Sequence, residues 1–333
     1  FHVTGVQTCA LPISVIAISA VRTGCGKSQV ARWLSRRLRT GGRRVAVLRH
    51  PMPYGDLMSE RVQRFATRED LDAARCTAEE REEYEPHIAA GNLVFAGVDY
   101  AAIVAAAAAE ADIIVWDGGN NDFPFLKPDL HIVVVDALRP DQVATHHPGE
   151  TTIRMADIAV INKVDAATAT QVQRAVDNVR GVNPLARIVR AASPGLLDDA
   201  AAVKGRRVLV VEDGPTITHG GMPYGAGYVA AQAAGAAEIV DPRASLAMPL
   251  TDVFAQYPHI GNVLPAVGYN PGQIEGLRQT IDRSAAEVVV AATPIDFAGL
   301  VRPARPVVRA RYEFAEAGEP MLASLVDEFM STI

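Results

Sequence analysis

Lysine is almost missing from this chain of 333 residues: Lys27, Lys127, Lys163 and Lys204 are the four, and arginine supplies the rest of the 32 basic residues. A lysine retained inside a motif is therefore more informative than usual. Cysteine is as scarce. Cys9, Cys25 and Cys76 form neither a disulfide framework nor a zinc knuckle, which points to a reducing, cytoplasmic compartment. Long apolar runs are lacking too. The longest, residues 101–109, is mostly alanine and far short of the ~20 residues of a bilayer span, so no membrane partner is expected. Basic excess is absent as well: a net charge of −6 and a pI near 5.8 argue against nucleic acid as the main partner.

What is present is a globular composition, 49% hydrophobic and 21% charged, which excludes wholesale disorder. The length exceeds the roughly 250–300 residues at which a single core stops growing, so two lobes are predicted. Residues 1–14 have no initiator Met, no basic n-region and no signal cleavage site. They resemble translated sequencing-adapter read-through. A non-native leader is expected there, with Cys9 spurious and the native sequence starting near Val15.

From Val15 onward, short β-branched runs alternate with helical patterns, as in a parallel sheet covered on both faces. Strands are predicted at 14–20, 44–48, 112–116, 130–135, 158–161 and 187–190, then at 207–211, 237–240, 263–267, 287–291 and 307–311. Helices are predicted at 27–39, 100–110, 167–179, 227–236 and 272–283. A first domain over 15–200 and a C-terminal lobe over 201–333 follow, with the polar stretch 192–205 as boundary. A short echo links the halves: Gly-Arg-Arg-Val at 42–45 leads to Met-Pro-Tyr-Gly at 52–55, and the same pair recurs at 205–208 and 222–225. Both echoes put a Pro/Gly loop after a strand, where ligands bind in open α/β sheets.

The strongest signal is the first strand followed by Thr23, Gly24, Cys25, Gly26, Lys27, Ser28 and Gln29 at a helix start. Backbone N–H groups of such a turn converge on phosphate, and the helix N-terminus adds partial positive charge. Lys27 would reach the β/γ-phosphates and Ser28 would bind Mg²⁺. Val21 stands where the usual first glycine would be, and Gly24 can supply the flexibility instead. The fold class expected is thus α/β: a P-loop NTPase-type parallel sheet with helices on both faces, then a second smaller α/β lobe. Cys25, beside Lys27 and a helix start, would have a lowered pKa if it were reactive; a small loop residue is the preferred reading.

A phosphate loop needs a carboxylate at a neighbouring strand tip for the Mg²⁺ shell. Asp117, ending an apolar run before Gly118 and Gly119, is the preferred choice, with Asp136 the competitor. Asn162, Lys163 and Asp165 follow another strand as Asn-Lys-x-Asp. In GTP-binding proteins this pattern reads guanine, and whether the base here is guanine or adenine stays open. Arg49 and His50 follow the second strand, close to where a γ-phosphate would sit. A glycine-rich loop in the second lobe carries Glu212, Asp213, Thr216, Thr218, His219, Gly220, Gly221, Tyr224 and Gly225, and it opens a helix that suits another anion. The acidic run 75–85 reads as a solvated helix face. A metal-directed cluster of Glu80, Glu83 and His87 is the alternative.

Taken together, residues 23–29 (TGCGKSQ), 49–57 (RHPMPYGDL), 76–88 (CTAEEREEYEPHI), 116–125 (WDGGNNDFPF), 128–136 (PDLHIVVVD), 155–165 (MADIAVINKVD), 211–231 (VEDGPTITHGGMPYGAGYVAA) and 288–297 (VVVAATPIDF) resemble the cyclic 2,3-diphosphoglycerate synthetase family, whose relatives include predicted GTPases. The resemblance runs from about Val15 to the C-terminus and implies a further N-terminal domain in full-length members. It also implies a ligase-like enzyme that uses the γ-phosphate of Mg-ATP or Mg-GTP to activate a small phosphorylated acid such as 2,3-diphosphoglycerate, forming an intramolecular phosphoanhydride. Lys27, Ser28 and Asp117 would hold the Mg-nucleotide. Arg49, His50 and the glycine-rich loop would neutralise the polyanion. The rival expectation is a regulatory or metallochaperone-type GTPase with no small product. The partner expected is a small anionic substrate, and homodimerisation is left open.

Overall fold

The computed structural model describes residues 13–50, 52, 55–119, 122–218, 220–267 and 270–333. The expected leader falls outside them except for Ile13, which is buried, and Ser14, which opens the first strand. Two compact units divide the chain. The first takes residues up to 75, 87–194 and 314–333, and the second takes 76–86 and 195–313. The crossing expected near residue 200 is therefore only one of several, because the chain visits the second unit early and returns to the first at its end.

Strands β1 (Ser14–Ala20), β2 (Val45–Arg49), β3 (Gln63–Phe65), β4 (Leu93–Ala96), β5 (Ile113–Asp117), β6 (Leu130–Asp136), β7 (Ile158–Asn162) and β8 (Arg187–Ala192) belong to the first unit. The second holds β9 (Gly195–Leu197), β10 (Arg207–Asp213), β11 (Glu238–Ile239), β12 (Leu264–Ala266), β13 (Val288–Ala292) and β14 (Val307–Tyr312). The short β15 (Ala315–Glu316) pairs back on β8. Among the described residues the first sheet runs β15-β8-β7-β6-β1-β5-β2-β4-β3, antiparallel only at its two edge pairs. Its centre is β1, flanked by β6 and β5 in parallel register. Connections diverge to either side of β1, which makes the loop after it the crevice where such sheets take ligands.

Strands β5, β6 and β7 are buried at every position, so both faces must be covered by helices. On one face the helix Lys27–Thr40 turns Val30, Ala31, Leu34 and Leu38 inward at helical spacing, into a core with Ile16, Ile18, Val133 and Val160. On the other, the alanine-rich helix Tyr100–Glu110 starts at Asp99, whose side chain accepts from Ala102 N, and buries Ile103, Val104 and Ala107 against Val15, Leu48 and Trp116. The second unit orders its strands β11-β10-β13-β14-β9, with β12 also on β10. Its core gathers residues 208–211 and 288–292 with Leu250, Leu277 and Ile281.

Strand β4, the helix Arg68–Ala73 and the C-terminal helix Leu322–Met330 join the expected elements. The acidic run is the larger difference. It forms the helix Ala78–Ala89 with Glu80, Tyr84, Glu85 and His87 all buried, so it is not a solvated face. Glu80 turns back to accept from Thr77 N at 2.7 Å and Thr77 Oγ1 at 2.8 Å, satisfying one amide and one hydroxyl at the helix start.

Candidate nucleotide and acceptor sites

The loop between β1 and the helix Lys27–Thr40 is braced from behind. Gly26 sits at φ 98°, a left-handed backbone that favours glycine, and a Cβ there would stand 2.4 Å from Asn162 Nδ2. That amide donates to Cys25 O at 2.9 Å, and Lys163 Nζ donates to Gly24 O at 2.6 Å and to Asp136 at 2.9 Å. Arg139 joins Thr23 O to Asp136. Asp136, the rival metal carboxylate, is thus already engaged by cations that anchor the loop. Asp165 is exposed and accepts from Ser193 N at 3.0 Å, while Ser193 Oγ donates to Gln29 Oε1 at 2.8 Å.

In front of the loop, the tip of β5 gathers a buried charge network. Asp117 is fully buried, and its Oδ1 meets Lys27 Nζ at 2.5 Å. Its Oδ2 meets Arg49 NH1 at 2.7 Å and His87 Nε2 at 2.8 Å. Arg49 lies opposite Asp117 in the β2–β5 register and also donates to Asp117 O at 2.6 Å. Burial alone would raise the Asp117 carboxyl, but Arg49, Lys27 and His87 hold it well below the usual carboxylate range. Burial brings the Lys27 ammonium down to about 8, with Asp117 opposing the shift. Burial likewise takes His87 and His50 down to about 4, so both rings are neutral at pH 7. Lys27 and Arg49 are thus set against Asp117, with the Asp122 charge also acting on Lys27.

The structure corrects several expectations here. Arg49 is committed to Asp117, and the neutral His50 adds no positive charge; neither stands free to neutralise a polyanion. His50 Nδ1 lies 3.8 Å from Asp122. Burial, then Asp136, push the Cys25 thiol up to about 11, the reverse of activation. His87 is on Asp117, and no group of three metal-ligating side chains forms among the described residues. Asn92, which reaches His87 Nδ1 at 3.1 Å, carries no signal in the sequence.

In the second unit, the glycine-rich loop does not leave an empty anion cradle. Glu212, buried at the end of β10, accepts from the N–H groups of Gly225 at 3.1 Å, Gly227 at 3.3 Å and Tyr228 at 2.8 Å. Its own carboxylate takes the start of the helix Ala226–Ala233. A Cβ at Gly225 would come within 2.4 Å of Glu212 Oε2, so the close approach requires glycine. Asp213 is spent locally on Thr216, and Thr218 Oγ1 donates to Gly214 O. Gly220 packs on Thr216 and Gly221 has φ 67°. Tyr224 stacks on Tyr228 at 4.7 Å, and His219 lies outside the described residues. Burial pushes Glu212 up to about 7, and the three N–H groups oppose it. Burial, then Asp213, push Glu82 up to about 8, where it lines a small cavity with Ala266, Leu277, Phe297 and Val301. This neighbourhood is acidic, not cationic.

The central phosphate loop, its lysine and the strand-tip carboxylate define a P-loop nucleotide-binding protein. LpxK from Aquifex aeolicus, solved with ATP, shares this α/β fold at a TM-score of 0.53 and 14% identity, over 96% of this chain and 89% of that one. A family model described as the P-loop domain of cyclic 2,3-diphosphoglycerate synthetase matches residues 87–192. Arginine synthetase ArcE of Thermococcus kodakarensis is 52% identical over 315 residues, which span 95% of this chain and 70% of that protein. The chain belongs to the ArcE family. The cyclic 2,3-diphosphoglycerate synthetase of Thermococcus sibiricus is 28% identical over 107 residues, which span 32% of this chain and 24% of that protein. The resemblance read from the motifs is therefore shared in the P-loop domain, while the near full-length likeness is to a synthetase of another name. Such relatives support a nucleotide-dependent, ligase-like enzyme.

Proposed function

We propose that the chain is a nucleotide-dependent synthetase whose product is arginine or a closely related guanidino compound. The observation that carries this reading lies in the second unit: Glu212 fills the helix start expected to cradle an anion, and Asp213 and Glu82 add carboxyls nearby. Among the described residues such a neighbourhood offers no cation to a polyphosphorylated acid, and Glu82 and Glu212, which ionise at about 8 and about 7, would pair with a guanidinium only as it draws off their protons. The relative that matches most of the chain is named for arginine, whereas the diphosphoglycerate synthetases match only about a third of it or less.

A ligase that ends in a guanidinium must close one of its C–N bonds. The general route moves the γ-phosphoryl of the nucleotide onto the oxygen of a ureide. Nucleoside diphosphate leaves in that transfer; ammonia then attacks the ureide carbon and displaces phosphate, leaving the guanidinium. Residues 23–29 would wrap the phosphates, with Lys27 turning from Asp117 to the β/γ-phosphates, and Asp165 would read the base. Ser28 Oγ stands 3.4 Å from Lys27 Nζ, which itself touches Asp117; hydroxyl and carboxylate together form a hard-oxygen donor pair that fits Mg²⁺. Ser28 and Asp117 would hold that ion, which supplies charge neutralisation on the phosphates. Catalysis then rests on positioning and electrostatics.

The test runs the reaction backwards. Arginine, phosphate, Mg²⁺ and either ADP or GDP are supplied, and phosphorus NMR follows nucleoside triphosphate while ammonia is assayed. Equimolar triphosphate and ammonia, absent with Lys27→Ala, are expected. The second reading, a synthetase of a cyclic phosphoanhydride, is favoured by the match at 87–192. A cyclic product from 2,3-diphosphoglycerate, with arginine inert, would replace the first reading by the second.

A further inference from the structure

We propose that His87 is a positioning residue for the nucleotide-bound metal: together with Arg49 it holds Asp117 Oδ2, so that Asp117 Oδ1 is the oxygen presented when Lys27 leaves for the phosphates. This inference rests on the reading of Lys27, Ser28 and Asp117 as the Mg-nucleotide residues.

The geometry assigns the two carboxylate oxygens different tasks. Oδ1 has one partner described here, the ammonium of Lys27, a flexible side chain at the mouth of the loop. Oδ2 is gripped by two rigid donors, the Arg49 guanidinium at 2.7 Å and the His87 ring at 2.8 Å, each only 1% exposed. His87 is itself clamped twice by Asn92. The Asn92 amide donates to Nδ1 at 3.1 Å, and the Asn92 backbone N–H donates to His87 O at 2.9 Å. With Nδ1 used as an acceptor, the ring proton sits on Nε2 and points at Asp117. A carboxylate held on one oxygen by two fixed donors cannot swing round to a new partner when Lys27 leaves Oδ1. Its other oxygen stays facing the place where Lys27 Nζ now sits, and that ammonium is 3.4 Å from Ser28 Oγ. Such outer partners typically alter metal affinity by about 10–100-fold.

Fluorescent ATP and GTP analogues, titrated with and without Mg²⁺, test this in the full chain. Wild type should bind nucleotide in EDTA and bind it more tightly with Mg²⁺. His87→Leu should keep its EDTA affinity, which reports an intact loop, and raise the Mg²⁺ concentration for half-maximal tightening by about 10–100-fold. His87→Gln, which returns an N–H at the same reach, should recover most of that loss. Asn92→Leu, which unfixes the ring without touching Asp117, should give a smaller shift in the same direction and carries the test if His87→Leu does not fold. An unchanged Mg²⁺ requirement in His87→Leu, or in Asn92→Leu where that variant carries the test, overturns the role of His87 and leaves the nucleotide reading intact. Wild type that binds neither nucleotide overturns both.

Discussion

At the scale of single residues, the first site separates Lys27, which we propose turns to phosphate, from the groups that hold the loop. Lys27→Ala should weaken nucleotide binding by about 10–150-fold, since a charge-assisted contact worth roughly 1.5–3 kcal/mol is lost; equilibrium binding of labelled nucleotide reads this. Asp165 reaches the loop only indirectly, through Ser193 and Gln29. Its substitution by alanine should weaken only the nucleotide whose base it contacts and leave inorganic tripolyphosphate binding unchanged, so competition among ATP, GTP and tripolyphosphate identifies the base. Equal losses for all three would show that Asp165 acts through Ser193 on the loop instead. The phosphate loop was legible because Gly24, Gly26, Lys27 and Ser28 are neighbours in the chain. The network on Asp117 was not, because Arg49, His87 and Asn92 arrive from separate elements, and the burial that neutralises His50 and His87 has no trace in composition.

At the scale of elements, the helix Ala226–Ala233 shows how one loop pattern allows opposite chemistry. Glycines before a helix start read as an anion site, and they are one, but the anion is Glu212 of the same chain. A side chain 13 residues upstream cannot be assigned to that role from spacing alone. The pattern's sign reverses with it, from a cradle for phosphate to a carboxyl-rich neighbourhood. A pH dependence follows. Glu82 and Glu212 ionise near 4.5 when unfolded, but in the native protein at about 8 and about 7. Between those values the folded state holds more protons, so stability is fully present below about pH 4.5 and falls as pH rises toward 8. Glu82→Gln cannot ionise. Its loss between pH 5 and pH 8.5 should therefore be smaller than wild type's, on the order of a few kcal/mol if the whole penalty is felt. Urea melts at the two pH values measure it, and parallel declines would refute the assignment. The short strand β4 and the helix Leu322–Met330 escaped the sequence reading for a different reason: a short apolar run such as residues 93–96, and a nine-residue stretch, carry too little periodicity to mark either pattern by themselves.

At the scale of the molecule, the alternation of β-branched and helical runs was enough to predict a parallel α/β fold with its phosphate loop after the first strand; that this strand is central emerges only from the sheet order. The early excursion at 76–86 and the return at 314–333 were not predicted, because linear order carries no information about where such segments dock. Residues 314–333 complete the first unit: Trp33 packs on Phe314 at 4.8 Å between ring centroids, and Phe314, Leu322, Leu325 and Val326 are buried in its core. Arg187 pairs with Glu328 at 2.7 Å, while Arg37 pairs with Asp327. Ending the chain after Glu313 should cost the first unit several kcal/mol, at about 1.5–3 kcal/mol for each large apolar side chain lost from the core. A truncated protein that melts with wild type would show that the segment is dispensable.

That arrangement also sets a timetable. During synthesis the residues through β8 emerge first, but the segment that closes their core follows only after the roughly 120 residues of the second unit, on the order of ten seconds later at about 5–20 residues per second. For that interval Trp33 and its neighbours face solvent or a chaperone, and a nucleotide caught by the waiting loop would act as a folding template before it acts as a substrate.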